Sequence, residues 1–331
     1  MLRNSNKHLN NEHNNAVNES DSELSTFRIY PLEDFSPCYP KLSGTRPGCL
    51  GKMSGSESTQ MLKIEDFAYP LSCTNDMDES VAMESLSSHL IRTIFGSGYA
   101  AVVDLIEING SKTNPVMIQF DYLPSKKSQK NVTHKIAVNS KYAVLSQWDE
   151  HTESLYNFEF GRTRPATRQE MEFAIQITHI QTIARLINMD DYKPENIVRR
   201  RDGSVFLVDC AANFCGFQWV KELLHPKFMI HNLGHYFIKE AALQIIRQFS
   251  ACNPDEAIIK ILDQFSMVLS SKTRESLLDN ILKTQKSCKE LLLVQKQMDD
   301  ENLFFSRKNN DSDKPDMDMP LEKKSLDFFL I

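Results

Sequence analysis

The sequence predicts an α+β fold, with a small β-rich part followed by a larger helical part. Three observations predict it. Residues 27–160 carry short β-branched and aromatic runs broken by turn residues. From Thr167 onward the apolar residues recur at helical spacing. Between the two lies "DDYKPENIVRRRDGSVFLVDCA", residues 190–211, a polar turn followed by a β-like run that ends on an aspartate.

Composition agrees with such a fold and excludes several functions. The chain has 331 residues, 41% hydrophobic and 25% charged, which is ordinary globular material with enough apolar residues for a sizeable core. A net charge of −6 leaves no electrostatic footprint for nucleic acid, and Arg199-Arg200-Arg201 reads as a solvated face beside a turn. No stretch approaches the ~18 apolar residues of a membrane span, so no integral membrane segment is expected. The start is polar and rich in asparagine, without the apolar core of a signal peptide. The seven cysteines are scattered and none forms C-x-x-C, so they read as thiols of a reducing cytosol rather than a zinc site or a disulfide framework.

Taken in order, residues 1–25 are too polar to bury and are expected to be disordered. "AAVVDLIEI" and "PVMIQFDYL" read as strands, joined through Asn109-Gly110-Ser111 by a hairpin or tight connection. "THKIAV" and "SLYNFEF" are shorter strand candidates. A helix is expected over 78–95, stopping at Gly96, with Val81, Leu86, Leu90 and Ile94 as its apolar stripe. Thr167 and Glu170 have the spacing of a capping box. The run after them is apolar on most sides, so it reads as a buried central helix, with His179 a packed core histidine. Further helices fit 232–250, 254–269 and 272–298, and 306–331 is a polar tail with a short apolar end.

The turn at 190–196 has the chemistry for phosphoryl transfer. That reaction asks a protein for a divalent cation held against phosphates, a carboxylate to position the attacking hydroxyl, and positive charge on the transferred group. Asp191 is the carboxylate, Lys193 can reach a phosphate, and Asn196 offers a neutral oxygen suited to Mg²⁺. "SVFLVD" is a strand that delivers Asp209 at its end, and Pro194 stiffens the loop between.

These residues resemble the protein-kinase superfamily. "DYKPENIV" is similar to the catalytic loop D-L-K-P-E-N-I-L, with Asn196 five residues and Asp209 eighteen residues after Asp191. The resemblance implies a bilobal protein-kinase-like fold: a β-rich N-lobe at about 26–124, an insertion at 125–166 and an α-helical C-lobe at 167–305. It implies ATP and Mg²⁺ as cofactors and a protein Ser/Thr substrate. Asp191 and Lys193 would be catalytic, and Asn196 and Asp209 would hold the metal. The chain also departs from the pattern. Met189-Asp190 stands in place of H-R, which implies activity independent of activation-loop phosphorylation. D-F-G is Asp209-Cys210-Ala211, A-P-E is missing, and "IHNLGHYFI" only faintly resembles the large-lobe D-x-W-S-x-G helix, so the activation segment is expected to be short. The whole looks like the minimal kinases that bacterial pathogens inject into host cells. Its setting is then cytoplasmic, or a host cell reached without a cleaved signal peptide.

A kinase also needs a lysine on a small-lobe strand paired with a glutamate on a helix. Two alignments compete. In one, "GSGYAAV" at 96–102 is the glycine-rich loop and Gln119 stands where the lysine belongs. In the other, "TQMLKIEDF" is the strand and Lys63 the nucleotide lysine, with Glu84 as its partner and Glu79 as second choice. The second places Gly44, Gly48 and Gly51 in a phosphate-covering loop, and Asp121, Tyr122 and Leu123 at the hinge. It keeps the element order strand, helix, strand, strand, hinge and is preferred. Two other functions fit the same residues. Small-molecule and lipid kinases share the Asp, Asn, Asp pattern, and a pseudokinase serving as a nucleotide-binding interaction module would suit Gln119 and the altered D-F-G.

Overall fold

A computed structural model describes residues 26–41, 46–64, 76–124, 130–147, 152–154, 167–189, 191–224 and 238–311. The expected disordered start, Gly44, most of "SLYNFEF", nearly all of "IHNLGHYFI" and the chain end beyond 311 lie outside these residues.

The small lobe is a six-stranded sheet. Its strands are β1 (Ile29–Pro31), β2 (Phe35–Pro40), β3 (Gly48–Met53), β4 (Thr59–Lys63), β5 (Val103–Glu107) and β8 (Tyr142–Gln147), in the spatial order β1-β5-β8-β4-β3-β2. The β1–β5 pair is parallel and the others are antiparallel. Alternation along each strand sends its side chains to two different cores. Val103, Leu105 and Val144 face helix α1 (Met77–Phe95). Leu62, Ile106 and Leu145 face the opposite way, against Ile118, Phe120 and Ile136 of a separate hairpin formed by β6 (Val116–Tyr122) and β7 (Val132–Val138). Each fully buried aliphatic side chain of this kind contributes roughly 1.5–3 kcal/mol.

This topology corrects three expectations. β5 and β6 do not form a hairpin with each other, because β5 pairs with β1 and β8 while β6 pairs with β7. The strand beside the lysine strand is β8, so the sheet continues to Gln147 and the expected insertion 125–166 contains β7 and the sheet strand β8. The chain therefore leaves the sheet for the large lobe after Gln147, not at Asp121–Leu123.

Helix α1 stops at Gly96 as expected and starts at Met77, one residue before the expected Asp78. Asp76 caps it, accepting from the backbone N–H of Asp78 and Glu79, and Gly96 ends it at φ 116°, a conformation that suits a residue without Cβ. Its burial is wider than one stripe: Ser85, Ser87, Ser88 and His89 are buried as well as Leu86 and Leu90. The reason is position, since α1 lies between the sheet and the large lobe. Its serines survive burial by hydrogen bonding, Ser85 to the Val103 carbonyl, Ser88 to the Ala101 carbonyl, and Ser87 accepting from the Ala212 N–H.

The large lobe is built on α2 (Arg168–Leu186), opened by the Thr167–Glu170 capping box with both reciprocal hydrogen bonds formed. His179 is buried in it and pairs through Nδ1 with the Tyr99 hydroxyl at 2.9 Å. Helix α3 (Lys239–Ala251) follows within the described residues. The expected helix 254–269 is interrupted: a π turn at Pro254–Ile258 leads into a short α4 (Ile259–Gln264). Helix α5 (Ser271–Asp311) runs further than 298 and into the expected tail. Two short strands, β10 (Ile197–Arg199) and β11 (Val205–Leu207), form the hairpin after the 191–196 turn, and β9 (Glu153–Ser154) pairs with β10. The whole is an α+β fold with a sheet-rich N-terminal part and a helical C-terminal part. Among the described residues no helix is long and apolar enough to cross a membrane.

Candidate active site

The site assembles at the join of the lobes from four separated segments. Lys63 is the last residue of β4. Its neighbour Leu62 points into the hairpin-side core, so alternation turns Lys63 toward α1. There its ammonium donates to Glu84 on α1 and to Asp209 after β11. The Lys63 and Glu84 side chains are each only 2% exposed. Glu79, the alternative partner, does not reach Lys63. Its carboxylate is engaged by Ser270 and Thr273.

Electrostatics bind this cluster together. Burial alone lowers the ammonium pKa of Lys63, but the Glu84 and Asp209 carboxylates outweigh it and hold the lysine above its ordinary range. Burial works against ionised Asp209 as well; Lys63, with Arg46 and Lys41 behind it, overcomes that and holds the carboxyl down to about 2. Burial raises Glu84, against the pull of Lys63 and Arg46.

The residues of the 191–196 loop are set by their own short-range bonds. Pro194–Asn196 forms one 3-10 turn that folds Asn196 back on Asp191. The Asn196 amide donates to the Asp191 backbone carbonyl at 2.8 Å and lies 3.3 Å from its Oδ2. The Lys193 ammonium donates to the same Oδ2 at 2.5 Å, and that hydrogen bond raises its pKa. The Asn196 carbonyl receives the Val208 N–H at 2.9 Å, which ties the loop to the strand end carrying Asp209. Asp209 sits at φ 52°, a left-handed conformation that Asp tolerates better than most residues. Cys210 is fully buried with its Sγ 3.9 Å from the Glu84 backbone carbonyl. Met189 is buried and bridges to Ala212 through its backbone.

Four expected site residues lie elsewhere or have another role. Gly48 and Gly51 belong to strand β3, not to a loop. A Cβ on Gly48 would meet the Leu62 carbonyl at 2.3 Å, and one on Gly51 the Phe35 ring at 2.4 Å, so both are glycine because neighbouring strands approach them closely. Asp121 pairs with Thr133 on the exposed side of the β6–β7 hairpin, and Leu123 just beyond it is 44% exposed. Gln119 is exposed on the same hairpin opposite Lys135, and Gly96–Gly98 is the end of α1 and a 3-10 turn, so the alignment that replaced the lysine by glutamine does not form.

Two residues at the site were not anticipated. Arg46 lies 3.7 Å from Glu84 Oε2, and the half-buried Lys41 donates to the Arg46 carbonyl at 3.5 Å. Burial, then the nearby Lys63 charge, lowers the Lys41 pKa. Their signal in the sequence is a pair of basic residues bracketing "LSGT". With Lys63 they set three cations against two carboxylates, an excess that suits a polyphosphate ligand.

The donor set also fits magnesium. Asn196 and Asp209 offer two hard oxygen ligands, and Mg²⁺ is commonly held by one or two protein oxygens with phosphates and waters completing the octahedron.

No protein-family model and no curated protein matches the chain. Among solved structures it is similar to a Helicobacter pylori proinflammatory kinase, CtkA, at 10% identity and a TM-score of 0.40, over 80% of this chain and 99% of that one.

Proposed function

We propose that the protein is an ATP- and Mg²⁺-dependent phosphotransferase acting on serine or threonine of a protein substrate. The observation that carries the reading is Lys63 held between Glu84 and Asp209, with the Asp191–Lys193–Asn196 loop tied to the same strand end. Lys63 would grip phosphate oxygens of the nucleotide, oriented by Glu84. Asn196 and Asp209 would hold the cation, which when bound neutralises phosphate charge. Asp191 would accept the hydrogen bond of the substrate hydroxyl and take its proton. The hydroxyl oxygen forms a bond to the γ-phosphorus, and the bond from that phosphorus to the leaving ADP oxygen breaks. Lys193, on the same carboxylate, would donate to the transferred phosphoryl group. The K-P-E sequence supports a protein substrate, and Met189 in place of the expected histidine, before Asp190 in place of the arginine, supports activity without activation-loop phosphate.

The test is phosphate transfer from labelled ATP with Mg²⁺ to the protein itself and to generic protein acceptors, beside Asp191→Asn and Asp209→Ala. Transfer abolished by both substitutions is expected. Nucleotide binding by the folded protein with no transfer to any protein would overturn the protein-kinase reading.

A further inference from the structure

We infer that Glu79 is a positioning residue, which sets Glu84 against Lys63 by fastening α1 to the start of α5 in the large lobe. The inference rests on the phosphotransferase reading of Lys63. Glu79 is the third residue of α1 and 9% exposed. Its Oε1 accepts the Ser270 backbone N–H at 2.7 Å and its Oε2 the Thr273 hydroxyl at 2.7 Å. Helix α5 begins at Ser271, so a carboxylate from the other lobe occupies the positive end of that helix. Thr273 is itself 3% exposed, and its N–H is received by Ser270 Oγ at 3.2 Å.

The neighbouring bonds make this a fixed joint. One residue earlier, Asp78 accepts the Lys141 N–H at 2.7 Å and ties the same turn to the small lobe. Further along, Ser87 receives the Ala212 N–H, and the Ile94 carbonyl accepts from Gln248 on α3 at 3.1 Å. Glu84 lies five residues after Glu79 on the same helix, a rise of about 7.5 Å. A helix buried on all sides transmits a shift of its first turn to that distance. Moving α1 away from the large lobe would break both of these hydrogen bonds of a buried carboxylate. The Lys63–Glu84 pair is therefore held closed by bonds within the fold.

The experiment uses Glu79→Ala, Glu79→Gln and the milder Thr273→Ala, each checked for folding by thermal melting, alone and in a Glu84→Ala background. Two readouts are taken: affinity for a non-hydrolysable ATP analogue, and acylation of Lys63 by an amine-directed reagent mapped by mass spectrometry. Glu79→Ala is expected to weaken binding about tenfold and to raise Lys63 labelling, with Thr273→Ala intermediate. Glu79→Gln, which keeps an acceptor for Ser270 and can donate to Thr273, is expected to stay near wild type. In the Glu84→Ala background Glu79→Ala is expected to change neither readout, because the residue it positions is gone. Unchanged Lys63 labelling in Glu79→Ala, or an undiminished effect in the Glu84→Ala background, would overturn the inference. A wild type that binds no nucleotide would sink the functional reading instead, and the labelling still decides the positioning.

Discussion

Lys63 and Glu84 form an ion pair closed from solvent, on a strand end and a helix 21 residues apart in sequence. Nothing local brings them together; the packing of α1 on the sheet does. Removing only the cation strands the Glu84 carboxylate, with Arg46 as its remaining partner. Lys63→Met is expected to cost about 3–5 kcal/mol of stability and to abolish nucleotide binding. The double variant Lys63→Met/Glu84→Leu is expected to regain much of the stability and none of the binding. Denaturant midpoints and nucleotide titrations of the three proteins check this.

Asp191 is held by two donors, and asparagine can keep one of them. Asp191→Asn is expected to fold and bind ATP normally while the transfer step slows by about 10²–10⁴-fold. Single-turnover transfer beside an ATP titration separates the two. An equal loss in both would mean that Asp191 acts in binding.

Gly51 distinguishes a phosphate loop from a strand contact. A methyl there meets the Phe35 ring and the Ser36 carbonyl. Gly51→Ala is expected to lower stability by about 1–3 kcal/mol and to leave the ATP affinity of the folded protein unchanged. Weakened ATP binding at an unchanged melting temperature would return Gly51 to the loop role.

Gln119 tests the rejected alignment. It is exposed on a hairpin outside the main sheet. Gln119→Ala is expected to alter stability by no more than about 0.5 kcal/mol and to leave transfer intact. A transfer rate that collapses with Gln119 would contradict the placement of the site.

Asp209 makes stability depend on acid. Its folded pKa of about 2 lies below the ordinary 3.8, so the unfolded chain binds the extra proton. The contribution is complete above the ordinary value and is lost as pH falls toward about 2. With the side chain 38% exposed, and so partly screened, the loss is on the order of 1 kcal/mol. Urea midpoints between about pH 5 and about pH 3 measure it, and Lys63→Met should flatten the slope because it removes the main cation facing Asp209. An identical slope in the variant would assign the acid sensitivity to another group.

The readable features of this chain are those whose determinants are contiguous. Helix α1 was visible because Gly96 can end a helix at positive φ, and α2 because Thr167 and Glu170 are three residues apart. The spacing of Asp191, Asn196 and Asp209 was visible because one turn and one hairpin carry all three. The strand neighbours were not readable. β6 and β8 are both short apolar strands, and an alternating pattern says which face of a strand is buried but not which strand lies beside it.

By itself, the sequence determined the β-then-α order, the end of α1 at Gly96 and the start of α2 at Thr167, and the set of polar groups crowded between 191 and 209. These follow from backbone preferences and hydrogen bonds that close within a few residues. Only the tertiary structure decided that β8 rather than β6 adjoins the lysine strand. It also decided that Lys63 meets Glu84 while Glu79 reaches across to Ser270 and Thr273, and that Arg46 and Lys41 stand behind them. Those relationships span from a few to nearly two hundred residues. They depend on which buried faces fit together, and burial of a charge is tolerated only where the fold happens to supply its partner.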